Sequence, residues 1–264
     1  MRQLAGTLSV VGTGIRAISQ MTQESVALVE RADKVLFIAN DPLTASWLCE
    51  LNPRAKSLHD LYSAGKDRIK TYHEMIDRVM RPVREGFNVC FVSYGHPGVF
   101  GFPMHEAVRL ARSEGFDAEM FPAISCQDAL FAELGVDPGA VGCQTFEATD
   151  FLVRRRVFDP TSALILLQVG TIAIKGYMNQ RVAWNMAGFG VLLDFLIGHY
   201  SDDHEVIAYE ASQYAWCTSR VIRRTLRTMH DVTLSAIATL YVPPKEPRPP
   251  DRELVDRLAA TIPT

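Results

Sequence analysis

Val89-Cys-Phe-Val-Ser93 runs without a break into Tyr94-Gly-His-Pro-Gly-Val-Phe100. The first stretch is apolar or small throughout and reads as a buried strand. Two glycines around a proline end it abruptly, because proline lacks an N–H and fixes φ, while glycine takes backbone angles that other residues avoid. This predicts a tight loop at the carboxyl end of a buried strand, where open α/β sheets place ligands. Tyr94 and His96 stand on that loop, either as incidental polar residues of an ordinary turn or as groups that face a ligand.

Upstream, Leu8-Ser-Val-Val11 stops at Gly12-Thr-Gly14-Ile-Arg-Ala17, which has the G-x-G-x-x-A form of a strand-to-helix turn. A helix over Thr22–Arg31 and a strand over Lys34–Ala39, followed by Asp41, complete a unit that a nicotinamide dinucleotide site would also require. A short helix over Thr44–Leu51 comes next, then a polar loop to Gly65 that contains Tyr62. Apolar residues at spacings of three and four predict a helix from Lys66 to Arg84. On it Arg68 and Tyr72, four positions apart, share a flank; without further context they read as a solvated arginine and a core tyrosine.

Downstream, the pattern gives a helix over Pro103–Ser113, a strand over Asp117–Phe121, and the loop Pro122-Ala-Ile-Ser125, with Ser125 as N-cap of a helix ending at Leu134. Strands alternating with helices predict a doubly wound parallel sheet with a functional edge. Gly135-Val-Asp-Pro-Gly139 is turn-rich and reads as a linker or the start of a second domain. The second half offers a strand over Ala163–Leu167 closing on Gln168, a mostly helical stretch from Ile174 to Tyr200 broken near Gly188 and Gly190, and a strand over Glu205–Tyr209. The arginine-rich Ser219–Leu226 fits a strand or a short helix. Ala236–Val242 is the last strand, and a helix over Asp251–Ala260 follows a proline-rich tail.

With 264 residues there is chain enough for one large or two modest domains with a proper core. A net charge of −3 gives no electrostatic reason to expect nucleic acid or an anionic membrane as partner. The five cysteines are scattered with no C-x-x-C pair, and no histidine pair has metal spacing, so neither disulfides nor a metal site is expected. No secretory signal and no bilayer-spanning segment is read, which makes the expected location cytoplasmic. With no nucleophile elbow and no P-loop lysine, hydrolase and kinase readings lack support; the polar groups near the loop edge suit a site that binds a pre-activated cofactor and orients a nucleophile.

The glycine turn Val10-Val-Gly12-Thr-Gly14, the loop Tyr94–Phe100, the loop Phe121-Pro-Ala-Ile-Ser125 and the closing strand Ile237-Ala-Thr-Leu240 occur in the order seen in the tetrapyrrole methylase superfamily. The resemblance covers nearly the whole chain. It implies two α/β domains with an S-adenosylmethionine cleft between them, here 1–122 and 123–264. Within the superfamily the chain looks most like borosin-type peptide backbone α-N-methyltransferases, whose second loop is Tyr-Gly-His-Pro-Gly-Val-Phe; porphyrinoid enzymes usually carry an acid where His96 stands. Those enzymes serve the biosynthesis of ribosomally made, post-translationally modified peptides. Their loop tyrosine and helical arginine–tyrosine pair match Tyr62, Arg68 and Tyr72, with a shorter spacing between Tyr62 and Arg68 than in some relatives. Because the sequence ends at Thr264, it resembles a split form that methylates a separate precursor peptide in trans, and the family implies a homodimer, with the apolar Ile174–Tyr200 segment as a surface for it.

The resemblance further implies Tyr72 as base or proton relay, Arg68 as electrostatic stabiliser, and Tyr62 and Tyr94 as positioning groups. For the cofactor it implies Tyr94, His96, Val99, Phe100, Ser125 and Cys126 on the methionine and ribose side. Gln168, Tyr209, Ala211, Ala238 and Thr239 would contribute from the second domain. Each of these also has a packing reading, Gln168 as a strand end and Ala238 as core among them. The remaining alternatives are a methyltransferase for a tetrapyrrole or another small acceptor, a catalytically silent cofactor- or peptide-binding module, and the nicotinamide enzyme.

Overall fold

A computed structural model of the chain describes residues 6–178, 182–246 and 248–262. The first half runs β1 (Thr7–Gly12), α1 (Gln23–Arg31), β2 (Lys34–Ile38), α2 (Pro42–Leu51), β3 (Ala55–Ser57), α3 (Arg68–Arg84), β4 (Asn88–Ser93), α4 (Phe102–Ser113) and β5 (Asp117–Met120). Its sheet has the order β3-β2-β4-β1-β5 with every pairing parallel. Successive strand residues point to opposite faces, so the unbroken apolar runs need cover on both. Leu8, Val10, Val89 and Phe91 pack under Met75, Val79 and Met80 of α3 and Met104 and Ala107 of α4. On the other face Val11, Val35, Phe37, Cys90 and Val92 pack against Leu28 and Val29 of α1 and Leu48 of α2.

β1 and β4 are neighbours whose following helices leave to opposite faces, which makes the gap beyond their carboxyl ends the switch point of the sheet. The chain fills this gap with its own backbone. Gly14 N–H donates to the Gly95 carbonyl at 3.3 Å, and Gly95 N–H donates back to Gly14 at 3.0 Å. The N–H groups of Ile15 and Arg16 both donate to Gln20 Oε1, at 2.9 and 2.8 Å. α1 opens only at Gln23, capped by Thr22. The turn thus has neither the free amides nor the helix N-terminus that a pyrophosphate needs, and the nicotinamide reading falls. Asp41 serves instead as N-cap of α2, accepting from Thr44 N–H at 2.8 Å.

The second half runs α5 (Cys126–Leu134), α6 (Pro138–Val141), β6 (Cys143–Glu147), α7 (Ala148–Val153), β7 (Ala163–Leu167), α8 (Met186–Ile197), β8 (Glu205–Glu210), β9 (Arg220–Thr225), α9 (Leu226–Met229), β10 (Thr239–Val242) and α10 (Arg252–Ala259). Its sheet, β6-β7-β10-β8-β9, is mixed: β6 and β7 are parallel and the remaining pairs antiparallel. Leu130 of α5 lies on one face with Ile165, Leu167, Ile207 and Tyr209, while Phe151, Phe189, Leu192 and Leu196 cover the other. No helix among the described residues is long and apolar enough to cross a membrane.

Several expected bounds shift. β3 and β6 are strands that the polar and turn-rich stretches concealed, and the last strand starts at Thr239. The stretch from Ile174 to Tyr200 is helical only over α8; residues 179–181 lie outside the described residues, and Lys175–Tyr177 is extended and pairs with the first half. Gly188 and Gly190 sit inside α8 rather than interrupting it, because Asn185 caps the helix at Gly188 N–H. The arginine-rich segment is the edge strand β9.

A Cβ on Gly12 would lie 2.1 Å from the Gly95 oxygen and 2.8 Å from Pro97 Cδ. Gly12→Ala is expected to lower unfolding stability by about 1–3 kcal/mol, the cost of overpacking a close backbone approach, read as a drop in urea midpoint. An unchanged midpoint would show that the two loops are not locked together.

Candidate active site

Two groups of side chains gather where the halves meet. The first is organised by a ribbon in which Gly65–Arg68 runs antiparallel to Lys175–Tyr177. Gly65 N–H donates to the Tyr177 carbonyl at 2.9 Å, Tyr177 N–H to Lys66 at 3.0 Å, and Arg68 N–H to Lys175 at 3.1 Å. Asp67 caps α3 through Ile69 N–H, so Arg68 is the first helical residue, and its guanidinium Nη2 donates to the Ile174 carbonyl at 2.5 Å. Tyr72 follows one turn later, with its ring 6.1 Å from that of Phe102. Tyr62, half-buried, stacks at a tilt 4.7 Å from Tyr177, which meets Trp184 edge-on at 5.9 Å.

Electrostatics divides the labour among these phenols. Burial pushes the Tyr62 phenol well above its ordinary range, with Tyr72 and Tyr177 adding to the rise and Arg68 opposing it. Tyr62 therefore stays protonated, with Tyr72 and Arg68 within electrostatic reach of its hydroxyl.

The second group lies where β4, α5, β8 and β10 approach one another. Tyr94 belongs here by its surroundings: burial pushes its phenol to about 12, and Gln213, Cys126 and Asp41 all lie near enough to bear on it. Ser125 is buried in a full capping box with Asp128. Cys126 opens α5 and is held above its ordinary thiol range by burial, with Thr239 near enough to oppose the rise. Thr239 pairs with Tyr209 across β10 and β8, and Tyr209 donates to Glu133 Oε2 at 3.1 Å. Ala211 packs beside Tyr209. Ala238 is buried, and its carbonyl accepts from Val169 N–H at 3.1 Å. Gln168, at φ 60°, turns the chain out of β7.

His96 Nδ1 accepts from Gly98 N–H at 2.9 Å, so in the loop Tyr94–Phe100 the imidazole braces its own turn. Val99 closes the same turn through His96, and Phe100 is exposed at φ 55°. Tyr177 and Gln213 are site residues that sequence reasoning missed. Gly176 inside a supposed helix was the available signal for Tyr177. Gln213, whose carbonyl accepts from Ala17 N–H at 2.8 Å, carries no local pattern at all.

This two-sheet arrangement has close counterparts. A sequence profile described as Tetrapyrrole (Corrin/Porphyrin) Methylases matches residues 7–230. The chain belongs to that family. Among solved structures, uroporphyrin-III-C-methyltransferase from Thermus thermophilus superposes with a TM-score of 0.62 at 17% identity, covering 90% of this chain and 92% of that one. The cobalamin biosynthetic enzyme cobalt precorrin-4 methyltransferase gives 0.61 at 19% identity, covering 90% and 94%. At these identities the likeness is one of fold.

Sequence relatives are nearer. The methyltransferase/ribosomally synthesized cyclic peptide gymnopeptides precursor of Gymnopus fusipes is 40% identical over 258 residues, 96% of this chain and 61% of the relative. The methyltransferase/ribosomally synthesized cyclic peptide omphalotin A precursor of Omphalotus olearius is 37% identical over 258 residues, with the same two shares of 96% and 61%. A methyltransferase/ribosomally synthesized type I borosin cyclic peptide precursor of Coprinopsis marcescibilis is 39% identical over 247 residues, 92% of this chain and 63% of the relative. The chain thus spans about three fifths of the length of these curated relatives.

The raised Tyr94 phenol sets a pH dependence. An unfolded tyrosine ionises near 10 and this one near 12, so its contribution to stability is complete below pH 10 and is lost as pH rises towards 12. Urea midpoints measured from about pH 9 to about pH 11 are expected to fall, and to fall less steeply in Tyr94→Phe. Equal slopes would mean that the phenol is not sequestered.

Proposed function

We propose that the protein is an S-adenosylmethionine-dependent methyltransferase that N-methylates backbone amides of a ribosomally made precursor peptide presented as a separate chain. The observation that carries this reading is the Tyr62–Arg68–Tyr72 cluster: a phenol kept protonated by burial, within electrostatic reach of a second phenol and of a guanidinium anchored on the Ile174 carbonyl. The relatives' names support a peptide acceptor, since each joins a methyltransferase to a cyclic-peptide precursor.

The second group fits S-adenosylmethionine. Tyr94, His96, Val99, Phe100, Ser125, Cys126, Gln168, Tyr209, Ala211, Ala238 and Thr239 include no lysine or arginine; Arg16, the cation that reaches this group, is paired with Glu133, which Tyr209 bonds, and Asp41 bears on Tyr94, so the repulsion a sulfonium cation would meet is offset. Ser93 Oγ, buried at the end of β4 next to Tyr94, has no hydrogen-bond partner among the described residues and can receive a polar ligand group. When bound, the cofactor supplies an electrophilic methyl group.

The remaining chemistry belongs to the acceptor. An amide nitrogen shares its lone pair with the carbonyl, so it becomes a nucleophile only as its proton leaves and charge builds on the oxygen. Tyr72 acts as a relay: it takes the amide proton as its own phenol proton passes on to solvent. Tyr62, kept neutral by burial, lines the site as a positioning phenol, while Arg68 stabilises the amide oxygen. Tyr94 orients from the cofactor side.

A tetrapyrrole acceptor is the second reading, and the fold likeness to the corrinoid and porphyrin enzymes is what favours it. We further propose domain bounds at 1–122 and 123–264, and a homodimer in which the exposed Leu254, Val255 and Leu258 of α10 find cover.

Purified protein incubated with S-adenosylmethionine and a precursor peptide is expected to add mass in single-methyl steps, with fragment ions placing each methyl on a backbone nitrogen. Tyr72→Phe should abolish turnover and leave cofactor affinity within about twofold, because the lost group acts only as charge develops. Methyl on side chains alone, or normal turnover by Tyr72→Phe, would refute the reading.

A further inference from the structure

Ala173 stands at φ 61°, in a region that residues with a side chain leave unless neighbours over-determine it. Here they do. Ala173 N–H donates to Thr149 Oγ1 of α7 at 3.0 Å. The carbonyl before it, on Ile172, accepts from Asn185 Nδ2 at 2.8 Å. The N–H after it, on Ile174, donates to the Thr171 carbonyl at 3.1 Å. Asn185 is itself fixed, because its Oδ1 accepts from Gly188 N–H at 2.9 Å as the cap of α8. A turn gripped at three successive residues presents the next carbonyl, that of Ile174, to Arg68 Nη2.

We propose that Thr149 and Asn185 are positioning residues that set the Arg68 guanidinium through the Ala173 turn; the inference rests on the methyltransferase reading above. A guanidinium carries five N–H donors in one rigid plane. Fixing one donor on a backbone carbonyl fixes the direction of the others, which then meet the developing amide charge without first losing rotamer freedom. The grip comes from the second half and the arginine from the first, so the acceptor site is complete only with both. Thr149 and Asn185 act at one remove, through the turn.

Methyl transfer to the precursor peptide by the full-length protein tests this. Thr149→Val removes the acceptor at constant volume, and Thr149→Ser keeps it. Asn185→Asp keeps the capping oxygen but sets an oxygen against the Ile172 carbonyl. Thr149→Val and Asn185→Asp should lower kcat by about threefold or more, the effect of one net hydrogen bond, with KM for S-adenosylmethionine within about twofold. Thr149→Ser should stay near wild type, and hydrogen exchange should speed up over residues 172–177 but not over the body of α3. Unchanged kcat in Thr149→Val, equal loss in Thr149→Ser, or a general rise in exchange and KM would overturn the inference. If the wild-type protein methylates no peptide, the functional reading fails first. The positioning inference is then judged by phenylglyoxal labelling of Arg68: faster labelling in Thr149→Val and Asn185→Asp upholds it, and equal labelling overturns it.

Discussion

Gly65, Lys66 and Arg68 exchange backbone hydrogen bonds with Lys175 and Tyr177, and the geometry around the acceptor chemistry follows from that exchange. The ribbon holds the Tyr62 loop against Tyr177, which buries the Tyr62 phenol and keeps it a donor. It also fixes the first turn of α3 against the second half, so that Arg68 meets a backbone carbonyl rather than water. A flexible arginine on a surface helix would sample many rotamers and contribute little. Held at both its backbone and its side chain, Arg68 is preorganised for the electrostatic role proposed for it.

Backbone bonds also close the usual crevice of the doubly wound sheet. Gly14 and Gly95 close that crevice with reciprocal backbone bonds, and Gln20 consumes the neighbouring amides. The sheet edge is thereby turned into a wall. Tyr94 and Ser93, just beyond the closure, face a second half whose contributions are short and mostly uncharged: Cys126 at the start of α5, Tyr209 on β8 and Thr239 on β10. A dinucleotide would need the amides that are already spent.

Much of the first half was legible in the sequence because its strands are covered on both faces. Runs such as Val89–Val92 admit few other readings, and the glycine–proline loop after them marks a sheet edge by backbone chemistry alone. The second half was harder to read. β6, Cys143–Glu147, is half-buried throughout and lacks a strong apolar run, and β3 is three residues at a sheet edge. The strap at 174–177 was mistaken for helix because its extended shape is imposed by pairing with Gly65–Arg68, a long-range contact that leaves no local period. For the same reason Arg68 and Tyr72 were visible as a helical pair, whereas Tyr177, Gln213, Thr149 and Asn185 were not. His96 marks the loop by sequence, yet physically it is a brace, bonded to Gly98 two residues on.

The central claim is that the cofactor and the acceptor machinery meet between the two halves, with the Gly12–Ala17 turn serving only as structure. A crystal structure of the protein with S-adenosylhomocysteine tests it most directly. The account predicts ligand density among Tyr94–Phe100, the start of α5 and the ends of β8 and β10, with its sulfur on the side of Arg68 and Tyr72. Density lying over the Gly12–Ala17 turn, with the Gly14–Gly95 bonds opened to admit it, would contradict the account.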